Sequence, residues 1–209
     1  MAKKIIVTIA RQYGSGGREI GERLAAILGI PLYDKQLITE AASLGNLNEE
    51  VLKRSDESAA NSLLYTLAMG SNVVGTTLHF GYKMPINDKL FVLQSEVIKK
   101  YAQDGSCVII GRCADYVLRE EENIFRIFIY GDLEHRKERV KERHPEIKPA
   151  SIVDTINKTD RRRASYYNFY TGNKWGKYDN YDIAINSSTL GIEGTAEMLA
   201  KCIKQLTEE

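Results

Sequence analysis

Residues 9–24, IARQYGSGGREIGERL, put three glycines and a serine into four positions, Gly14, Ser15, Gly16 and Gly17, between an apolar run and an amphipathic one. Glycines in that setting let backbone N–H groups turn inward on an anion, and the start of the following helix adds its partial positive charge. Arg11 and Arg18 flank them. The chemistry implied is the cradling of a phosphate chain. A complete loop of this kind, G-x-x-x-x-G-K-[ST], also carries a lysine for the outer phosphates and a hydroxyl for Mg²⁺. In that register Arg11 falls on the first glycine, Gly17 on the lysine and Arg18 on the hydroxyl. The backbone half of the loop is kept and both side-chain roles are vacant, since a guanidinium has no acceptor for a cation.

Two more clusters carry charge suited to phosphate. In IIGRCADYVL, Gly111 and Arg112 follow a β-branched run, where ligands bind at the strand ends of open α/β sheets. Arg112 suits a bidentate phosphate contact, and an ion pair with Asp115 is the structural alternative. In DRRRASYY, residues 160–167, adjacent arginines on a helix point in different directions, so at most two of the three face one ligand. His79, His135 and His144 lack metal-ligand spacing, and Cys107, Cys113 and Cys202 form neither a disulfide framework nor a C-x-x-C pair. No metal ligand is assigned. DLEHRKERVKER reads as an exposed helix with Asp132 as N-cap, pairs such as Glu138–Lys141, and Arg136 and Arg139 on its solvated face, with reach to a nucleotide site as their alternative.

These groups need elements to hold them. The runs IIVTIA (5–10), CVIIG (107–111) and IFRIFIY (124–130) are apolar and β-rich, with YDIAIN (181–186) more alternating. The first two suit strands buried on both faces of a parallel sheet. Helical patterns between them give a β-α-β-α order, the mark of an α/β fold. After the opening loop, Ile20, Leu24, Ile27 and Leu28 share one helix face, Gly29 stands at the cap and Pro31 just beyond. PLYDK then reads as a short edge strand. A helical middle follows over about 36–104, broken near 79–88, and a final helix over about 191–206 lines up Ile192, Ala196, Leu199 and Ile203. The segment 144–180, crowded with arginine, lysine and aromatics, reads as a mobile functional insertion.

The chain has 209 residues, 43% of them apolar and 27% charged, enough for one substantial α/β domain with a small lobe. Its formal charge of +1 gives no pull toward nucleic acid or an anionic membrane. The apolar run near Met1 is too short for a signal peptide, and no window approaches ~18 apolar residues. A cytoplasmic protein is expected, and the apolar stretches 63–68 and 90–98 would support a homodimer.

In order along nearly the whole chain, these motifs resemble those of the cytidylate kinase-like family of nucleoside monophosphate kinases. GSGG at 14–17 is similar to the family's G-[SA]-G-K loop, and YDKQLI at 33–38 to its L-D-S-G-x-I segment, with Asp34 at the aspartate. IIGR at 109–112 resembles the strand-end G-R-D, with Cys113 in place of the aspartate. DRRRA matches the lid's D-x-x-R-A and puts Asp160 and Arg163 at its functional positions. The Y-G-S-G-G-R-E loop looks closest to a divergent branch of the family.

The resemblance implies a P-loop fold with a five-stranded parallel sheet. Its core would take 1–38, 105–143 and 181–209, with an NMP-binding-like lobe over about 39–104 and a lid over about 144–180. The reaction implied is phosphoryl transfer from ATP, with Mg²⁺, to a nucleoside monophosphate or a similar small phosphorylated acceptor. Arg11, Gly14, Ser15, Gly16, Gly17 and Arg18 would bind the donor, and Asp34, Lys35 and Arg112 the acceptor. Arg18, Arg112, Asp160 and Arg163 would serve catalysis. The absent lysine leaves Arg11, Arg18 or Lys35 to supply its charge. Lys35 and Glu40 stand where the family has a serine and a phosphate-binding arginine. Two other functions fit the same residues: a nucleotide- or anion-sensing module without catalysis, and transfer of another group, such as sulfuryl, from a nucleotide donor.

Overall fold

In a computed structural model of the chain, residues 4–45 and 86–207 are described. They divide into two compact units, one of residues 1–34 and 98–209, the other of residues 35–97. The first holds a five-stranded, wholly parallel sheet in the order β2-β3-β1-β4-β5. Its strands are β1 (Ile6–Arg11), β2 (Leu32–Tyr33), β3 (Cys107–Ile110), β4 (Ile124–Tyr130) and β5 (Ile183–Asn186). Every residue of β3 and all but the last of β1 are buried, as central parallel strands covered on both faces must be. β2 occupies the edge beside β3, where PLYDK was expected.

Helix α1 (Gly17–Leu28) lies on this sheet through Ile20, Leu24 and Ala25. Gly21 permits the close approach: a Cβ there would stand 2.6 Å from the Ile110 side chain. The helix stops at Gly29, whose φ of 66° closes the last turn with its N–H on the Ala25 and Ala26 carbonyls. The final helix, α7 (Ser187–Thr207), packs Ala196, Leu199, Ala200 and Ile203 into the same core. A short turn from Ser187 precedes the expected start, and Gly191, with a non-helical φ of 65°, separates it by a kink from the long helical run that the sequence pattern marks.

The second unit contains α2 (Lys35–Leu44) and the start of α3 (Ile86–Asp104), with Leu37, Ala41, Ala42, Leu90 and Val97 buried. The expected break near 79–88 lies mostly outside the described residues, as do His79 and the stretch 63–68. Residues 86–88 already belong to α3.

The segment 144–180 departs from its reading as an irregular insertion. After a short α4 (Ala114–Val117) and α5 (Leu133–Arg143), residues Ile152–Thr171 form one 20-residue helix, α6, stopped by Gly172 at φ 72°. Ile152 and Ile156 pack on Val140, and Tyr167 and Thr171 are buried. Trp175, beyond the helix, packs edge-on against Phe128 beside Tyr181. Apolar and aromatic side chains thus tie this segment to α5 and to β4. Among the described residues no helix is long and apolar enough to cross a membrane.

Candidate functional site

β1 ends at Arg11 and β3 at Ile110, side by side at the middle of the sheet. The chain leaves β1 for β2 on one side and leaves β3 for β4 on the other, so a crevice opens between their C-terminal ends, the place where ligands bind in such sheets. The loop over residues 12–16 lies at this crevice and leads straight into α1, with Gly16 as the N-cap at φ 75°.

The loop's glycines are there for space as well as φ. At Gly14, with φ 80°, a Cβ would stand 2.8 Å from the Arg136 backbone oxygen, which cannot swing aside. At Gly17 a Cβ would stand 2.5 Å from that of Arg11. Ser15 is not a ligand-facing hydroxyl: it is buried and donates to the Gln12 carbonyl at 2.9 Å and the Ile129 carbonyl at 3.3 Å. The Ser187 hydroxyl, at the start of α7, in turn lies 2.7 Å from the Ser15 carbonyl and 2.9 Å from that of Tyr130. The cradle is thus fixed to the sheet from within.

Four guanidinium groups belong to this edge. Arg11 closes β1. Burial, followed by the charge of Arg163, holds its guanidinium well below the usual arginine range, with Asp34 acting in the opposite sense. Arg163, on α6, donates from Nη1 to the Arg11 carbonyl at 2.8 Å and lies over the Tyr13 ring, 5.7 Å from its centroid. Burial lowers its pKa too, and Asp160 raises it. Arg161 and Arg162 are exposed, so one arginine of the three reaches the loop. Arg112 stands just past β3 in a left-handed conformation, φ 56°, as does Cys113 after it. Non-glycine residues rarely adopt that region, and a pair of them stores strain of the kind found at binding sites. Cys113 is buried, which pushes its thiol far above the ordinary range and leaves it an inert packing group. Arg18 is half-exposed and pairs with Asp34 and Glu22, each at 3.2 Å. Lys35 opens α2 in the second unit, with its side chain exposed.

The structure departs from several readings made from the sequence. Arg136 is not on a solvated face. It is buried, and its guanidinium donates to the Tyr13 carbonyl at 2.7 Å, to Gln12 Oε1 at 3.1 Å and to Asp160 Oδ2. Arg139 likewise pairs with Glu19 at 2.9 Å. Asp160, matched to a catalytic lid position, spends both oxygens on structure: Oδ2 takes Arg136 and Oδ1 accepts the Tyr13 N–H at 2.8 Å. Both contacts brace the loop at Tyr13, directly and through Arg136. Asp132 sits at the N-cap of α5, yet its carboxylate accepts from Asn186 at 3.0 Å and caps nothing. Asp115 is not the partner of Arg112 that the sequence offered as an alternative. It is buried and accepts from the Tyr167 hydroxyl at 2.7 Å.

Sequence reasoning missed the burial of Arg136 and missed Ser187, both of which hold loop residues more than a hundred positions away. The pair Ser187–Ser188 after the last strand was the available signal.

As chemistry, the arrangement is a rigid backbone cradle under concentrated positive charge. It fits a polyphosphate: at Gly14 and Gly17 the side chains that would obstruct the loop are missing, and the charge around it needs an anion. A metal held by the protein fits less well. Arg18 replaces the hydroxyl, and among the described residues no three His, Cys, Asp or Glu side chains cluster.

Known proteins place this geometry. No curated protein matches the chain. An uncharacterized protein from Eubacterium ventriosum, solved by crystallography, is 28% identical with a TM-score of 0.69, over 96% of this chain and 99% of that one. Shikimate kinase from Bacteroides thetaiotaomicron, at 12% identity and a TM-score of 0.54, matches over 97% and 99% of the two chains. A gluconokinase from Sinorhizobium meliloti, at 13% and 0.51, matches over 100% and 96%. At such identities the last two show the fold alone, and that fold is the P-loop kinase fold. The sequence profile of the cytidylate kinase-like family matches residues 6–189, from the first strand through the loop, the strand-end arginine and α6. With that match spanning most of its length, the chain belongs to the cytidylate kinase-like family.

Proposed function

We propose that the protein is an ATP-dependent phosphotransferase acting on a nucleoside monophosphate or a similar small phosphorylated acceptor. The observation that carries this reading is the glycine loop at the β1–β3 crevice with Arg11, Arg112 and Arg163 brought to it. Phosphoryl transfer asks little covalent work of a protein. Positioning and charge neutralisation do most of it.

Gly14 to Gly17 would hold the donor phosphates through backbone N–H groups at the start of α1. Arg163 and Arg112 would neutralise charge developing on the transferred group. Asp34, held by Arg18, would orient the acceptor. Mg²⁺, when bound with ATP, would neutralise the phosphates, and its place would be set by the nucleotide more than by a protein cage.

The test is incubation with Mg·ATP and a panel of nucleoside monophosphates and small phosphorylated metabolites, with product detection by mass spectrometry. Transfer to one member is expected. ATP binding without any phosphorylated product would favour the second reading, a nucleotide sensor, which the missing lysine and hydroxyl support. Absence of ATP binding would sink both.

A further inference from the structure

The loop has lost its lysine, and the structure shows what fills the space. Gly17 occupies the lysine position, and a Cβ placed there would stand 2.5 Å from Arg11 Cβ and 3.0 Å from Arg11 Cγ. The stem of Arg11 therefore occupies the volume where a side chain on residue 17 would begin. Its head lies further along the same crevice. A Cβ on Gly111, at the end of β3, would stand 2.3 Å from Arg11 Nη1. Arg11 itself falls where the standard loop has its first glycine. Glycine and cation have exchanged places across the loop.

We propose that Arg11 takes over the role of the loop lysine, its side chain passing through the room left at Gly17 to present the guanidinium to the donor phosphates. This rests on the reading above that the loop receives a nucleoside triphosphate.

Most of the neighbouring cations already hold protein partners. Arg18 is half-exposed and paired with Asp34 and Glu22, Arg163 donates to the Arg11 carbonyl, and Arg136 is consumed by Tyr13, Gln12 and Asp160. Among the described residues the Arg11 guanidinium has neither a hydrogen bond nor an ion pair. Three like charges, Arg163, Arg112 and Arg18, crowd it, and the Asp34 carboxylate offsets them only in part. An anion relieves that crowding, and a planar guanidinium grips two phosphate oxygens where an ammonium is a point charge. The exchange also explains why the loop tolerates a residue without a side chain at the position where its relatives by motif place their key cation. A lysine added at residue 17 alone would collide with Arg11.

Two measurements on the full chain test this. The first is a stability cycle by denaturant unfolding. Gly17→Ala should destabilise the protein when Arg11 is present and be close to neutral in the Arg11→Gly background. Equal effects in both backgrounds would overturn the spatial half of the proposal.

The second is calorimetric binding of inorganic tripolyphosphate and of ATP. Arg11→Gly should weaken both by about tenfold to a hundredfold, the loss of one charge-assisted contact. Arg11→Gly with Gly17→Lys, which restores the standard arrangement, should recover most of that loss. Undiminished binding by Arg11→Gly, or no recovery in the double variant, would overturn the proposal. Should the double variant not fold, Arg11→Lys and Arg11→Gln replace it. Lysine is expected to keep part of the affinity and glutamine almost none, and equal affinity in the two would count against the proposal. Arg11-dependent binding without phosphoryl transfer to any acceptor leaves this inference standing and removes the proposed function. No binding by the unaltered protein removes both.

Discussion

Arg136 on α5 and Asp160 on α6 form a largely buried ion pair, and each also holds the backbone of the same loop residue, Tyr13. The guanidinium takes the Tyr13 carbonyl and the carboxylate takes the Tyr13 N–H. One peptide unit on each side of Tyr13 is thereby fixed by side chains from two helices that follow the loop by more than a hundred residues. The cradle's shape is a tertiary property as much as a local one.

Removing one member of such a pair strands the other. Arg136→Ala leaves Asp160 Oδ2 and the Tyr13 carbonyl without their donor and the carboxylate without its counter-charge, and should cost about 3–5 kcal/mol in denaturant unfolding. Asp160→Asn keeps an acceptor for the Tyr13 N–H and should cost less. A loss below about 1 kcal/mol in Arg136→Ala would show that the pair is dispensable to the fold.

Ser187 offers a subtler handle. Its hydroxyl lies between the carbonyls of Ser15 and Tyr130, with no exposed surface to lend water as a substitute. Ser187→Ala should destabilise by about 1–3 kcal/mol, the usual cost of leaving a buried polar group unpaired. It should also weaken tripolyphosphate binding by a few-fold, since the Ser15 carbonyl is freed to move the loop. Lost stability with unchanged affinity would confine Ser187 to the fold.

Asp115 should leave a mark on the pH profile of stability. Burial raises its pKa, opposed by the Tyr167 hydroxyl that it accepts from and by the Arg126 charge. The folded state therefore holds the proton to higher pH than the unfolded chain, whose aspartates titrate near ~4. Across that window the folded state binds more protons, so this group's contribution falls as pH rises from about 4 through the raised folded value. Asp115→Asn, whose carbonyl still accepts from Tyr167, should flatten that slope and be at least as stable at neutral pH. A steeper fall in the variant would contradict the assignment.

What the sequence reveals follows the reach of each interaction. Central strands are legible because burial on both faces demands unbroken runs such as CVII, and α1 because Ile20, Leu24, Gly29 and Pro31 are all local signals. Helix α6 is legible only at its arginine run, its aromatics masking the rest, although Ile152, Ile156, Asp160, Arg163, Tyr167 and Thr171 recur at spacings of three and four. Polar members of that stripe face the loop instead of solvent, so an amphipathic reading fails there. Arg136 looks solvated for the same reason, since a charged helix face and a buried cation with distant partners have the same local pattern. The glycine loop was legible as a tight strand-to-helix turn, but the packing of Arg11 into the space beside Gly17 is a matter of Cβ positions. Spacing along the chain carries no such information.

Arg163 is the cation whose role mutation can divide most cleanly. It reaches the loop from α6, donating to the Arg11 carbonyl and covering the Tyr13 ring. If it only braces the loop, its removal should lower stability and donor affinity together, with turnover at saturation unchanged. If it neutralises charge on the transferred phosphoryl group, Arg163→Ala should lower kcat by about a hundredfold, the scale for one stabilising donor, while KM for ATP moves much less. We expect the second pattern, with Arg163→Lys intermediate, because two of the guanidinium's three nitrogens are not used in holding the Arg11 carbonyl. A rise in KM at constant kcat, across acceptors that the unaltered protein phosphorylates, would assign Arg163 to the scaffold. Adding guanidinium ion to the alanine variant provides an independent check: partial recovery of kcat is expected where the missing group acts on the reacting phosphate, and none where it only supported the loop.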